Sequence, residues 1–223
     1  MKRNNLLILG LVCLFLFAVV TFLVFENITQ ASDARLELLL NSDLGGAVTT
    51  LMVDATLYGR EDFWIPIVIV MFVLGKRDTK LMAIELAALF IVGIAAGDLL
   101  KYVAYRPRPI YTISVVARVA FETDSSFPSG HALITSIGAV FALLKFRSKV
   151  VSLLLTVEAA VVCYSRVYVG MHYPLDVVAG VLLGTAIVCL GLLVLESDKL
   201  RRSRSLVSLL EKILEASHLP QVL

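Results

Sequence analysis

Long apolar runs, separated by polar segments, dominate the chain. A helix that crosses a hydrocarbon core about 30 Å thick needs about 20 apolar residues. Two of the runs are shorter, so they extend into flanking polar residues or lie beneath a recess in the surface. The pattern predicts an all-α membrane protein with six transmembrane helices, at about residues 5–25, 63–75, 81–103, 131–146, 150–168 and 175–195.

Two further stretches, 34–46 and 205–219, place leucine at helical spacing but are not apolar enough to span. Helices of this kind lie in the plane of the membrane surface, so we expect both to have a packing or anchoring role. The second stretch follows a basic run. We therefore divide the chain into a six-span domain, residues 1–196, and a basic, amphipathic cytoplasmic tail, residues 197–223.

The composition supports a membrane protein. Hydrophobic residues make up 59% of the chain and charged residues 17%, which excludes an ordinary soluble domain. The net charge of +2 gives no indication of a nucleic-acid partner, and we expect none. Cys13, Cys163 and Cys189 lie inside apolar runs, so we interpret them as small hydrophobic residues rather than as a disulfide or zinc site.

The distribution of lysine and arginine predicts the orientation of the helices. Twelve of the 20 cations lie before the first predicted span, in the second and fourth loops, or after the last span. Short loops rich in these residues stay in the cytoplasm, so both termini are expected to be cytoplasmic. The first outer loop, residues 26–62, agrees because it contains seven acidic residues and two arginines.

The third loop is an exception, because it is basic although it lies on the outer side. Lys101, Arg106 and Arg108 lie in or next to this loop, and Arg166 lies near the fifth loop, also outside. Membrane orientation does not account for these cations. We therefore expect them to bind an anion at the extracytoplasmic face.

A second outer segment has the features of an anion site. Pro128 and Ser129 indicate a helix start, with Gly130 and His131 in the first turn. The free N–H groups of a helix N-terminus bind anions, and Gly130 allows a ligand to approach closely. Taken alone, the segment also fits an ordinary capped membrane helix.

A third outer segment contains a histidine and an aspartate. Pro174 is expected to open the sixth helix, which places His172 just outside it and Asp176 one turn within it. Asp176 can then accept a hydrogen bond from one ring nitrogen of His172 and leave the other nitrogen nucleophilic. A capping aspartate beside an interfacial histidine explains the pair equally well.

A metal site is the rival interpretation, because His131, His172 and Asp176 are suitable ligand types. The fixed cations nearby argue against it, since they repel a divalent metal and attract an anion. Phosphoryl transfer through a phosphohistidine, with no metal and no cofactor, is the interpretation that the residues favour.

The three segments together resemble the type 2 phosphatidic acid phosphatase superfamily, integral-membrane lipid phosphate phosphatases related to vanadium haloperoxidases. The first motif is Lys, six residues, then Arg-Pro, matched within residues 101–109. The second is Pro-Ser-Gly-His, matched at 128–131, and the third is Ser-Arg, five residues, His, three residues, Asp, matched at 165–176. The resemblance covers about residues 59–195.

The resemblance implies a role for each matched residue. His172 attacks phosphorus, Asp176 orients His172, and His131 protonates the leaving oxygen. Water then hydrolyses the phosphohistidine, and no metal is implied. The phosphate oxygens are expected to be held by Lys101, Arg108, Ser129, Gly130 and Arg166.

Four other charged residues have expected roles. Asp98 shares a helix face with Lys101, so it either holds that lysine in place or forms an ion pair of little consequence. Arg106 is expected to bind a second phosphate or to support the site. Glu85 and Glu158 lie inside predicted spans, where a charge is costly, so they should face protein or be protonated.

The predicted function is metal-independent hydrolysis of a lipid phosphate or diphosphate, with phosphate released at the outer face. The substrate belongs to the polyprenyl diphosphate, phosphatidate or phosphatidylglycerol phosphate class, and Arg106 favours a polyprenyl diphosphate. A lipid phosphotransferase that uses the same phosphohistidine and a non-catalytic anionic-lipid transporter are the alternatives. The small size is similar to bacterial and archaeal members of the family, so we expect a multi-pass protein of the plasma membrane of a bacterium or archaeon.

Overall fold

The computed structural model describes residues 2–120 and 122–196. The predicted tail, 197–223, lies outside these residues. The described ranges form eight α-helices and a short 3₁₀ turn at Pro109–Tyr111. The helices are α1 (Arg3–Phe25), α2 (Gln30–Leu40), α3 (Gly46–Tyr58), α4 (Glu61–Leu74), α5 (Arg77–Val103), α6 (Gly130–Lys145), α7 (Lys149–Tyr168) and α8 (Pro174–Leu195).

Six of these helices coincide with the predicted spans to within a few residues, namely α1 and α4 to α8. Helices α1, α5, α7 and α8 are long and apolar enough to cross a membrane. The other two are short, as the sequence indicated, with 14 residues in α4 and 16 in α6. The predicted all-helical class is confirmed.

Helix α6 lies at the centre of the bundle, packed against α5, α7 and α8. Small residues allow this close packing. A Cβ atom added to Gly138 of α6 would lie 2.3 Å from the Trp64 ring of α4. A Cβ atom added to Gly180 of α8 would lie 2.6 Å from the Ser129 carbonyl oxygen. The start of α8 therefore lies against the start of α6, which brings the second and third motifs together.

The segment after α1 folds as two helices, and the buried face of α2 is acidic. Asp33 and Glu37 are 3% and 0% exposed. Asp33 Oδ1 accepts a 3.1 Å hydrogen bond from the backbone N–H of Leu175, at the start of α8. Asn41 Nδ2 donates a 2.8 Å bond to the carbonyl oxygen of Tyr168, at the end of α7. Helix α2 thus packs on the end of the bundle that contains the third motif.

The two glutamates inside the predicted spans differ in their surroundings. Glu85 forms an ion pair with Lys145 at the end of α6, with 2.9 Å between Oε2 and Nζ, and Lys145 also binds Glu196 at 2.8 Å. Both carboxylate oxygens of Glu158 are buried, and within 2–120 and 122–196 neither has a hydrogen-bond partner. Both residues therefore face protein, at least in part.

Candidate active site

The three motifs meet at one end of the helical bundle. Lys101 lies in the last turn of α5, and Arg166 lies in the last turn of α7. Ser129 is the N-cap residue of α6, and Asp176 lies in the first turn of α8. The expected helix starts in the second and third motifs are therefore observed. Two helix ends and two helix starts converge there, because the helices that carry them pack side by side.

The His172 ring is buried, with 1% of the residue exposed. Nδ1 lies 2.7 Å from the Ser126 carbonyl oxygen, and Nε2 lies 3.1 Å from Nη1 of Arg108. When Nδ1–H donates to that carbonyl, the Nε2 lone pair accepts from the guanidinium. Burial, together with the charges of Arg166 and Arg108, holds the pKa of His172 well below its usual value. The neutral form of the ring is therefore favoured, and its unprotonated Nε2 faces the Arg108 cation.

Asp176 does not accept the hydrogen bond from His172 that the sequence predicted. Its Oδ2 lies 3.7 Å from His172 Nδ1 and accepts a 3.0 Å bond from the backbone N–H of Tyr173, while Oδ1 binds Arg106. The position in the first turn of α8 directs the carboxylate to the free N–H groups of that helix start. Its negative charge still lies near enough to Nδ1 to stabilise a positively charged ring.

Lys101, Arg108 and Arg166 form a group that we call the cation cluster. Arg108 and Arg166 are 1% and 2% exposed. Glu122 bridges these two guanidinium groups, with Oε2 2.6 Å from Arg108 Nη2 and Oε1 2.7 Å from Arg166 Nη2. Asp124 bridges Lys101 and Arg108 in the same way. Two carboxylates therefore lie where phosphate oxygens are expected to bind.

The cation cluster keeps these carboxylates, which we call the acidic pair, in their ionised form. Burial alone would favour the neutral acid, but hydrogen bonds from Lys101 and Arg108 lower the pKa of Asp124 to about 2. For Glu122, burial is likewise outweighed by the charges of Arg166 and Arg108, and the pKa is lowered. The acidic pair was not predicted. The only signal in the sequence was its position, six and four residues before the second motif.

Two buried polar atoms beside the cation cluster have no hydrogen-bond partner in the part of the chain that the structure describes, namely Ser129 Oγ and Arg166 Nε. Ser129 is 0% exposed, and its hydroxyl does not cap α6. A buried polar group without a partner costs about 1–3 kcal/mol, so both atoms are available to a ligand. Together with the N–H groups at Gly130, where α6 begins, they form a candidate anion site.

His131 and a cation that the sequence did not single out lie next to this anion site. Nε2 of His131 lies 3.1 Å from the Thr56 carbonyl oxygen, and Arg166 Nη1 donates a 2.7 Å bond to Thr56 Oγ1. Arg60, which precedes α4, has Nη1 3.4 Å from the position that a Cβ atom on Gly130 would occupy. The segment between α3 and α4 therefore adds a positive charge beside the second motif.

Arg106 does not belong to the cation cluster. Nη1 binds Asp176, Nη2 donates a 2.8 Å bond to Asp33, and the guanidinium carbon lies 4.1 Å from the centroid of the Tyr173 ring. Both ends of the guanidinium are occupied by carboxylates. This placement corrects the expectation that Arg106 binds a second phosphate and favours the supporting role.

A groove leads away from the cation cluster between α5 and α6. Asp98 lines it together with Lys101, but the carboxylate that binds the Lys101 ammonium is Asp124. The polar end of the groove is formed by Arg60, Asp98, Lys101, Asp124 and Gly130, and the apolar end by Gly93, Ile94, Gly97, Leu133 and Ile134.

A buried histidine among fixed cations, at one end of an apolar helical bundle, is an arrangement suited to phosphoryl transfer from a lipid. The chain belongs to the PAP2 superfamily, whose family model matches residues 81–198, more than half of the chain. The matched region contains all three motifs. The predicted superfamily is confirmed, and with it the predicted enzyme class, a phosphoric ester hydrolase that acts on lipids.

The chain is similar to several known proteins. It is 41% identical over 148 residues to an undecaprenyl-diphosphatase of Sulfolobus acidocaldarius, which covers 66% of this chain and 70% of that protein. It is 28% identical over 121 residues to undecaprenyl-diphosphatase BcrC of Bacillus subtilis, which covers 54% of this chain and 62% of that protein. A crystal structure of a transmembrane PAP2 type phosphatidylglycerolphosphate phosphatase from Bacillus subtilis matches with a TM-score of 0.66 and 22% identity, over 82% of this chain and 93% of that one. At this identity, the last similarity shows the fold alone.

Proposed function

We propose that the protein hydrolyses a polyprenyl diphosphate through a phosphohistidine on His172, without a metal, and releases phosphate at the extracytoplasmic face. The observation that supports this proposal best is the position of His172 Nε2, the unprotonated ring nitrogen, which lies 3.1 Å from Nη1 of Arg108 in the cation cluster. Ser129 Oγ and Arg166 Nε, which lack partners among the described residues, are further groups for phosphate oxygens. The names of the two undecaprenyl-diphosphatase relatives support the substrate class.

In the first step, Nε2 of His172 attacks the terminal phosphorus. The N–P bond forms while the bond from phosphorus to the bridging oxygen breaks, and the electron pair of that bond leaves with the prenyl phosphate. His131 donates a proton to the leaving oxygen, and the negative charge of the bound phosphate favours the protonated form of this histidine. The cation cluster stabilises the negative charge on the oxygens that remain on the transferred phosphorus.

In the second step, water attacks the phosphorus of the phosphohistidine. The N–P bond breaks, its electron pair returns to Nε2, and inorganic phosphate is released. His131, now neutral, accepts the proton of the attacking water, so the catalytic groups return to their initial state. Asp176 and the Ser126 carbonyl oxygen hold the ring during both steps, since both lie on the Nδ1 side of His172.

The proposal includes six membrane spans with both termini in the cytoplasm. The distribution of lysine and arginine supports this orientation, because it places the cation-rich short loops inside. Helices α4 and α6 are short, and α6 begins at the candidate site. A lipid substrate can then keep its hydrocarbon chain in the bilayer while its charged head enters the cation cluster.

Release of phosphate from a polyprenyl diphosphate by the purified protein, with a chelator present, tests the proposal. We expect His172→Ala to abolish release and the chelator to have no effect. His218→Ala is the matched control, because His218 lies in the tail, away from the three motifs in sequence. Undiminished release by His172→Ala, or complete loss with the chelator, would contradict the mechanism. Transfer of phosphate to an added acceptor instead of water would favour the phosphotransferase alternative.

A further inference from the structure

Arg60 lies at the polar end of the groove that begins at the cation cluster. Its Nη1 is 3.4 Å from the position of a Cβ atom on Gly130, at the start of α6. Arg60 forms an ion pair with the adjacent Glu61, and the two side chains are 35% and 44% exposed. Ion pairs near the surface contribute about 0–1 kcal/mol, so an arriving anion can displace Glu61 from Arg60.

A diphosphate substrate has a second charged group outside the cation cluster. In-line attack places the bridging oxygen opposite His172 Nε2, so the inner phosphate lies on the far side of the terminal phosphorus. The groove adjoins the cluster at Lys101, and its polar end contains Arg60. Its lining then becomes apolar, which suits a phosphate that is followed by a hydrocarbon chain.

Arg106, the other arginine near the first motif, is not available for this phosphate. Its guanidinium is bound by Asp33 and Asp176 and is stacked on Tyr173. Displacing these two buried carboxylates would deprive both of the positive charge that neutralises them, which is far more costly than displacing the partly exposed Glu61.

We propose that Arg60 binds the inner phosphate of the diphosphate and thereby makes a diphosphate a better substrate than a monophosphate. This inference rests on the proposed function, because it assumes that His172 attacks the terminal phosphate. It assigns specificity for a second phosphate to the segment between α3 and α4, outside the three motifs.

The experiment compares Arg60→Gln with the wild type on farnesyl diphosphate and farnesyl monophosphate, two probes with the same chain. We expect kcat/KM to fall about 10- to 100-fold for the diphosphate, as for the loss of a hydrogen bond to a charged group, and to change less than about 3-fold for the monophosphate. Arg60→Lys should recover part of the loss. Arg35→Gln is the matched control, because it removes one positive charge from an exposed position on α2. This variant should leave kcat/KM unchanged for both substrates.

Retained monophosphate hydrolysis by Arg60→Gln also shows that the variant is folded. Arg106→Gln provides the contrast. Because Arg106 positions Asp176, its replacement should lower kcat for both substrates by a similar factor. Equal losses on the two substrates in Arg60→Gln, or an unchanged kcat/KM for the diphosphate, would refute the assignment of Arg60 while leaving the proposed function intact. Absence of phosphate release from either substrate by the wild type would refute both.

Discussion

The histidine that we propose as the nucleophile is held by a main-chain carbonyl group, with an aspartate as its second neighbour. Ser126 fixes the proton on Nδ1 of His172, while Asp176 is 3.7 Å away and is itself bound by Arg106. Arg106 in turn binds Asp33 of α2. The Asp176 carboxylate, on the Nδ1 side of the His172 ring, therefore belongs to a network of residues from three segments of the chain. Such a network holds Asp176 in place without a direct hydrogen bond to the nucleophile.

His131 is expected to distinguish between two kinds of leaving group. An alkoxide must be protonated as it leaves, whereas a phosphate leaving group needs the proton much less. We expect His131→Ala to lower kcat on farnesyl monophosphate by about 100- to 10,000-fold and on farnesyl diphosphate by a clearly smaller factor. Steady-state rates on both substrates, with His218→Ala as control, measure the two factors. Equal losses on the two substrates would exclude His131 as the acid.

In the proposed function, the acidic pair competes with phosphate for the cation cluster. Glu122 and Asp124 neutralise the charges that a phosphate must use, so substrate or product has to displace them. Neutral isosteres leave the cations free. We expect Glu122→Gln and Asp124→Asn each to lower the inhibition constant of inorganic phosphate about 3- to 10-fold, since each removes a carboxylate that is hydrogen-bonded to a cation.

Inhibition of hydrolysis by added phosphate at neutral pH measures this competition. Asp54→Asn is the control for the acidic pair, because Asp54 is an exposed carboxylate on α3. We expect a lower inhibition constant of phosphate in both acidic-pair variants and an unchanged constant in the control. An inhibition constant that stays the same or rises in Glu122→Gln and Asp124→Asn would show that the carboxylates do not occupy the phosphate position.

The sequence predicted the residues whose side-chain chemistry defines the motifs, and it missed the rest of the site for physical reasons. Every residue has a carbonyl group, so nothing in the sequence indicates that Ser126 binds the histidine. Arg60, Glu122 and Asp124 lie in connecting segments, whose path does not follow from hydrophobic periodicity. The choice between the two roles expected for Arg106 could not be made from the sequence, because its partner Asp33 is 73 residues away in the chain.

The helices themselves were easier to predict than their buried faces. Apolar runs located α1 and α4 to α8 within a few residues, because length and hydrophobicity together define a helix in a bilayer. Helix α2 shows the limit of this approach. Its leucines predicted a helix in the membrane surface with a packing or anchoring role, but they gave no sign that Asp33 and Glu37 are buried, with Asp33 against the start of α8. Acidic residues on a buried face are recognisable only when their partners are known.

Glu37 on α2 is expected to make the stability of the protein dependent on pH. Burial, with the charges of Asp176 and Asp33, raises the pKa of Glu37 from 4.5 to about 9. The unfolded chain therefore releases this proton above about pH 4.5, while the folded chain keeps it until about pH 9. The unfolded state binds fewer protons in this range, so stability falls as the pH rises from 4.5 towards 9.

Replacing Glu37 with glutamine should remove this part of the pH dependence, because the amide has the shape of the protonated acid and does not ionise. We expect the Tm of Glu37→Gln to exceed that of the wild type by several degrees at pH 8 and to equal it at pH 5. Thermal unfolding in detergent between these values measures the difference, with Asp54→Asn as control. Parallel curves of Tm against pH for the variant and the wild type would contradict a buried, protonated Glu37.

At the scale of the whole molecule, the fold places the site at one end of the bundle but does not determine which side of the membrane that end faces. The same helices could be inserted in either direction, and their apolar surfaces would contact lipid equally well. Charge is the property that distinguishes the two directions. Lys101, Arg108 and Arg166 are positive residues at the predicted outer end, and their presence there is explained by the acidic pair and by a phosphate ligand rather than by membrane orientation.

Labelling of single cysteines in intact cells determines the direction. In a background in which Cys13, Cys163 and Cys189 are replaced by alanine, we expect Ser114→Cys, exposed in the loop between α5 and α6, to react with a membrane-impermeant maleimide added outside. Asp78→Cys, exposed at the opposite end of α5, should react only after the membrane is permeabilised. The two variants control for each other, because Asp78 lies at one end of α5 and Ser114 lies beyond the other end, so the two positions are expected on opposite sides of the membrane. The reverse pattern would place the cation cluster in the cytoplasm, and hydrolysis of the diphosphate would then occur at the inner face.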